Sequence, residues 1–424
     1  NNSAFGHQAL KFNTTGNFNT ALGLNALALN TTASNNTAVG YQAAYSTTTA
    51  GNNVAVGYQA LYANTTGQLA TAVGYQALRN NNGDTYCTAL GARTLTSNTS
   101  GSENVAAGDL SLNSNTTGNY NTAYGNRSLL SNTTASYNTA NGYQALYSNT
   151  TGEQNTSTGY QALRYNTTAS FNTANGSQAL WTNTTGANNT ASGYKALYSN
   201  TTGNYNTALG QTAGTGITTG SSNISIGYDC LSGTTTGSNN TYVGKHCGDS
   251  GVTGSNNMAL GNRAGRSDSP SGNITSGSNN ICIGDNNITN LYCADTSISS
   301  SDGRDKTDIE DFTAGLDFIT QMRPVTYRWD KRTSYVDKDA TSQDVLNVVP
   351  DGTHKKPKQH IGFISQEVQA LEQSLGFATD KDNELICNTN EDATAMGLKY
   401  ERLVPILVNA IKELSAKVEA LENA

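Results

Sequence analysis

The chain has 424 residues, with 43 Gly, 5 Pro and only 13 % charged side chains, which is too long for one ordinary domain and an odd composition for any. Its formal charge of −7 offers no basic face to neutralise phosphates, which argues against nucleic acid as a partner. No apolar run of eighteen residues and no signal peptide are present, so no membrane insertion is expected.

The chain opens at Asn1, without Met and in mid-pattern. The expectation is a fragment or processed form whose upstream attachment region, the link to other proteins of a larger assembly, is missing. From there a repeat runs in strict register: Gly6, Gly23, Gly40 and so on to Gly261, every step 17 residues. A further copy at Gly284 is displaced by six residues, the extra length falling in RSDSPSGNITSG, which is expected to form a loop. A fixed short period is the signature of a solenoid.

The unit reads N-T-A-x-G-Y-Q-A-L-x-x-N-T-T-G-x-x. It is too short for a helical hairpin, and Asn, Thr and Gly are poor helix formers, so each copy predicts one β coil with NTTG as its turn. Small residues two before and three after the Gly, and Leu four after it (Leu27, Leu61, Leu78 and their counterparts), predict a narrow core of stacked Ala and Leu ladders. One Leu and two or three Ala per coil bury little apolar area against the cost of ordering the whole coil, which points to further burial between chains in an oligomeric fibre. The residue before the Gly is apolar near the start (Leu22, Val39, Val56, Val73), polar in the middle (Asn141, Thr158, Asn175, Ser192), then apolar again (Leu209, Ile226, Val243). If this position faces a neighbouring chain, the middle of the fibre has a hydrated seam.

Tyr often follows the Gly: Tyr41, Tyr58, Tyr75, Tyr143, Tyr160, Tyr194. These Tyr either pack on one another as good strand formers or form a ladder on which glycans stack. Cys230 and Cys247 take the small inward position in consecutive coils and are read as buried thiols rather than a disulfide. The four histidines are scattered and no CxxC pair exists, so neither a metal site nor a cofactor is expected. For glycoside hydrolysis, which uses two carboxylates, the best pair is Asp84 with Glu103, a weak candidate. The N-T-A-x-G core resembles the head repeats of trimeric autotransporter adhesins, which implies a left-handed trimeric β-roll and keeps a bacterial surface adhesin as the alternative reading.

At SISSSDGRDKTDIE, residues 297–310, charge arrives abruptly. Residues 1–300 hold nine basic and nine acidic residues, so the whole net charge falls after them. Beyond this point the patterning is globular: a helix over 308–322, strands at VTYRWD and HIGFIS, a helix at QEVQALEQ. The last segment carries Val404, Leu407, Ile411, Leu414, Val418 and Leu421 at spacings of three and four, a coiled-coil seam.

SDGRDKTDI, ITQMRPVTYRW, HIGFISQEVQAL and GLKYERLVPILVNAIKEL resemble the intramolecular chaperone domain that ends phage endosialidases and other phage tail fibres and also occurs in the myelin regulatory factor. The resemblance spans nearly all of 301–424 and includes the family's signature at Ser301, Asp302, Arg304 and Lys306. It implies a mostly β chain: a solenoid fibre over 1–300, then a small α+β chaperone domain over 301–424. It further implies a homotrimer, extracellular on a virion tail, bound to a host receptor, and self-cleavage between Ser300 and Ser301. A Ser hydroxyl needs a base to become a nucleophile, and a neutral Lys serves in Ser–Lys dyads. Ser301 is therefore the candidate nucleophile and Lys306 the candidate general base.

Overall fold

The computed structural model describes residues 1–83, 86–233, 236–250, 253–288, 307, 309–336, 341–380, 383–390 and 393–424. Contacts divide the chain into two compact units, 1–263 with 275–281, and 264–274 with 282–424. The six inserted residues of the displaced repeat thus fall where the chain leaves the first unit.

The first unit is a parallel β-solenoid. Each coil contributes one three-residue strand, from β1 (Ser3–Phe5) to β17 (Ile281–Ile283), seventeen in all among the described residues. Strands pair in register with their copies one repeat away, Thr156 against Thr173 and Thr158 against Asn175. From β2 onward the middle residue of each strand points inward, and its two neighbours point out. The rest of the coil is turn, yet it too is bonded to the adjacent coil. In the coil of residues 155–171, Leu163 N donates to Ala179 O at 3.0 Å and Thr167 N to Thr184 O at 3.1 Å.

Turning such a short circuit with one three-residue strand requires sharp corners. Besides Gly159, three residues of the same coil, Gln161, Leu163 and Phe171, are left-handed, with φ of 55°, 50° and 62°. Each such non-glycine residue costs about 1–2 kcal/mol, offset by the bonds between coils. Gly159 is different in kind: its φ is +127°, and a Cβ there would stand 2.6 Å from the Gly176 carbonyl oxygen.

The interior contains the expected ladders. Ala140, Ala174, Ala162 and Ala179, together with Leu129, Leu146, Leu163 and Leu180, are buried. It also contains two Asn ladders that the repeat pattern did not reveal as interior, one of them drawn from the NTTG turn. Asn138, Asn155, Asn172 and Asn189 form one, Asn149, Asn166, Asn183 and Asn200 the other, all fully buried. Asn155 Nδ2 donates to Ala169 O at 2.9 Å, and its Oδ1 accepts from Asn172 N at 3.0 Å. Asn166 Nδ2 reaches both Asn149 Oδ1 and the same Ala169 carbonyl, each at 2.9 Å. An amide carries a donor and an acceptor, so it is satisfied by its own copy in the next coil, and buried polar groups so paired are tolerated. Two coils exchange volume internally. Tyr242 fills the Ala slot where Gly248 vacates the Leu slot, and Ile217 replaces an Asn where Gly214 vacates it.

In the second unit the predicted strands pair antiparallel, β18 (Val325–Tyr327) against β19 (His360–Gly362). The helix expected over 308–322 is only α1, Leu316–Gln321; residues 309–315 are not helical because their carbonyls are used elsewhere, as described below. Between β18 and β19 lies α2 (Ser342–Asn347); after β19 come α3 (Ser365–Ser374), a hairpin of β20 (Cys387–Thr389) and β21 (Met396–Leu398), and α4 (Leu403–Glu422). Phe318, Met322, Val368, Ile386, Leu403 and Ile406 form the core. Glu372 of α3 is buried within it, its carboxylate accepting backbone N–H groups from Ile386 and from Cys387, the latter at 3.0 Å. Burial, then the carboxylates of Glu372 and Glu384, push the Cys387 thiol up to about 12.

Asn155→Ala leaves the buried N–H of Asn172 without an acceptor and should lower stability by about 1–3 kcal/mol, read as a lower urea midpoint at unchanged slope. An unchanged midpoint would show that the ladder is not part of the stabilising interior. Gly159→Ala should be destabilising by at least roughly 1–2 kcal/mol from conformation alone, with the carbonyl clash added; the same titration decides it.

Candidate functional site

Ser300, Ser301, Asp302, Arg304 and Lys306 lie outside the described residues. What the structure describes is how the segment just beyond them is held. Two side chains one turn apart on α4 grip it. Asn409 Nδ2 donates to Phe312 O at 2.6 Å and to Ala314 O at 3.3 Å. The Glu413 carboxylate accepts Leu316 N at 3.3 Å, capping α1 with the negative charge that a helix start favours. Gly315 sits between: a Cβ on it would meet Glu413 Oε1 at 2.1 Å. Carbonyls taken by Asn409 are not available to a helix, which is why α1 begins late.

The same helix carries a second surface. Leu403, Ile406 and Ala410 face the core, whereas Val404, Leu407, Val408, Ile411, Leu414, Val418 and Leu421 are exposed. Ile411 is 67 % exposed and Leu421 78 %, an apolar row that water does not favour. Thus α4 holds the segment behind the signature with one set of side chains and presents an uncovered apolar row with another. The sequence revealed the row through its spacing, but not the grip of Asn409 and Glu413, because nothing in an isolated Asn or Glu on a helix marks its partner.

On the solenoid, Tyr41, Tyr58 and Tyr75 stack on one another with centroids 5.2 Å apart and planes within 13°, and Tyr143 stacks on Tyr160 at 5.5 Å. Lys195 Nζ lies 5.2 Å from the Tyr194 ring centre. Stacked rings spend their faces on each other and turn edges and hydroxyls outward, so a stacking sugar meets a free face only at the end of a run. A second aromatic run pairs Trp181 with Tyr198 at 5.0 Å. The residue before each repeat Gly points outward, with Leu22, Val73, Leu90 and Leu209 exposed. Asp84 lies outside the described residues; Glu103 is beside Tyr120, whose hydroxyl its charge raises above the ordinary phenol range.

Cys230 and Cys247 are both fully buried. A hydrogen bond with the Cys247 side chain lowers the Cys230 thiol, and their Sγ atoms bond to Tyr242 O and Ala259 O, each at 3.2 Å. Nearby, Asp229, His246 and Asp249 bring three metal-ligating atoms together, a cluster that sequence spacing did not reveal because the solenoid period, not a short motif, assembles it. No helix among the described residues is long and apolar enough to cross a membrane.

Comparison with known proteins bears on the second unit. Residues 301–377 match the family model described as Chaperone of endosialidase. No curated protein matches the chain. The match covers the signature segment, α1, the antiparallel β18–β19 pair with α2 between its strands, and α3. The chain is therefore a β-solenoid of 17-residue repeats followed by a segment, residues 301–377, that is similar to the endosialidase chaperone family.

Proposed function

We propose that this protein is the shaft of a bacteriophage tail fibre or spike, trimerised and folded by its C-terminal domain, which then cuts itself away. The observation that carries this reading is the double use of α4, one helix bearing an uncovered apolar row and the clamp on the segment behind the signature. Three copies of α4 joined along that row bury it, and the seam is coupled through Asn409 and Glu413 to the segment that leads back to Ser301.

In this mechanism Ser301 Oγ attacks the Ser300 carbonyl carbon while Lys306, neutral at that moment, takes the hydroxyl proton. The C–N bond breaks as the amine accepts a proton, leaving an ester between Ser300 and the Ser301 oxygen. Water then hydrolyses the ester, giving a Ser300 carboxylate and a Ser301 N-terminus. Burial on assembly favours the uncharged Lys, so cleavage follows trimerisation. A register slip of one whole repeat restores every side-chain match in the solenoid, and a domain that aligns three chains at one end removes that ambiguity. Its loss makes unfolding hard to reverse. The residues up to 300 then serve host attachment outside the cell, the receptor being a glycan reached by the outward aromatics and the rest of the tail joined through an upstream region.

Intact-mass measurement and denaturing gels on wild type, Ser301→Ala and Lys306→Ala test the chemistry. A fragment beginning at Ser301 is expected from wild type alone, beside a gel-resistant trimer of residues 1–300. Full-length wild-type chains throughout would sink the proposal. Ile411→Asp places a charge in the apolar row and should abolish both trimer and cleavage; a trimer that survives it removes α4 from the assembly seam. Misplacing reacting groups by about 1 Å costs on the order of 100-fold in rate, so Asn409→Ala should slow fragment release by roughly that factor while the trimer persists.

A further inference from the structure

Two residues after the repeat Gly several coils place Gln, and where these are consecutive the amides bond across coils: Gln59 Nε2 donates to Gln42 Oε1, and Gln161 Nε2 to Gln144 Oε1, each at 2.9 Å. In consecutive coils near the end of the unit that position is taken by Asp229 and His246, with the same left-handed φ of 54° and 53°. A carboxylate above an imidazole replaces an amide ladder by two metal-ligating groups. The third comes from Asp249, at a position filled elsewhere by long side chains such as Tyr62, Arg79, Trp181 and Tyr198.

We propose that Asp229, His246 and Asp249 form a binding site for a divalent first-row transition metal that ties two coils together. His246 Nδ1 lies 3.3 Å from Asp229 Oδ2 and 3.7 Å from Asp249 Oδ2. All three ligating atoms lie within 4.8 Å of one another, and among the described residues no other set of His, Cys, Asp or Glu converges this way. A tetrahedral zinc ion with bonds of ~2.0–2.2 Å sets its ligand atoms roughly 3.3–3.5 Å apart, so two edges of the triangle are already near that length. The Asp249 side chain is only 13 % exposed. His246 Nδ1 is shielded from solvent and has no hydrogen-bond partner, although two carboxylate oxygens are close.

The surroundings fix the ring. Tyr228 meets the His246 imidazole edge to face, centroids 5.2 Å apart. The turn that delivers Asp249 is the one rebuilt around Tyr242, where a Cβ on Gly248 would come within 2.1 Å of that ring. Two carboxylates and a neutral imidazole balance a dication, and a nitrogen–oxygen donor set suits zinc, cobalt or nickel rather than copper(I) or calcium. One coil supplies Asp229 and the next His246 and Asp249, so a bound ion adds a cross-link that the backbone ladder lacks.

The test is calorimetric titration of the chelator-treated full chain with zinc chloride, with cobalt as a visible-absorbance probe. His246→Gln and Asp229→Gln are the informative variants because Gln holds the same position in other coils, as at Gln144, Gln161 and Gln178, so the fold has a ready place for it. One zinc per chain is expected, raising the unfolding temperature of the wild type, with affinity weakened by about tenfold or more in each variant and the cobalt band lost in His246→Gln. Absence of saturable zinc binding, or binding of equal strength in His246→Gln, which would place the ion at His7, His354 or His360, overturns the proposal.

Discussion

Every coil of this protein is hydrogen bonded to its own copy in the next turn of the solenoid, and that translational register decides which side chains the interior accepts. A group inside the solenoid meets the same group above and below it. Apolar side chains pass this condition trivially. Among polar ones, Asn meets it because its amide both donates and accepts: Asn155 gives a proton to Ala169 O and takes one from Asn172 N. A buried Asp or Lys in the same ladder would face like charge at strand spacing. The charge-poor composition of residues 1–300 follows from this condition.

The register also explains what the backbone tolerates. Left-handed Leu163 and Gln161 would be isolated faults in an ordinary domain. Here each sits directly between equivalents with the same φ, so the distortion is shared by the entire stack and the hydrogen bonds remain in line. Where the pattern breaks, it breaks in pairs: Tyr242 with Gly248, Ile217 with Gly214. Asp229, His246 and Asp249 belong to the same stretch, where the coil departs most from its neighbours. In the second unit a different constraint operates, because α4 satisfies the 309–316 segment with Asn409 and Glu413 while leaving Ile411 and Leu421 in water.

The strict period made the coil, its inward Ala and Leu and its outward Tyr legible from sequence. The Asn ladders were not, since Asn is a turn former by intrinsic preference and only stacking reveals that its neighbour is another Asn. In the C-terminal region the α4 heptads, the two strands β18 and β19 and α3 were visible in their periodicity. The helix over 308–322 was overextended because the pull of Asn409 on Phe312 and Ala314 comes from nearly a hundred residues away. The chemistry of Ser301 and Lys306 was read from residue types and resemblance, and these residues lie outside the described part of the chain. The His246 cluster escaped because its ligands are separated by the solenoid period rather than by a familiar metal spacing.

The matched register of strands such as Thr139 against Thr156 and Thr156 against Thr173 has a consequence for how such a chain changes over generations. Removing one whole coil brings two coils together whose Asn, Ala, Leu and Gly already match, and duplicating one does the same. Even the exceptional coils keep Tyr242 with Gly248 and Ile217 with Gly214 inside a single copy, so they travel as self-contained modules. Length can therefore be gained or lost in quanta of about 4.8 Å per coil through slippage of the encoding DNA, with no new interior to be invented. A family of such chains can differ in reach before it differs in anything else.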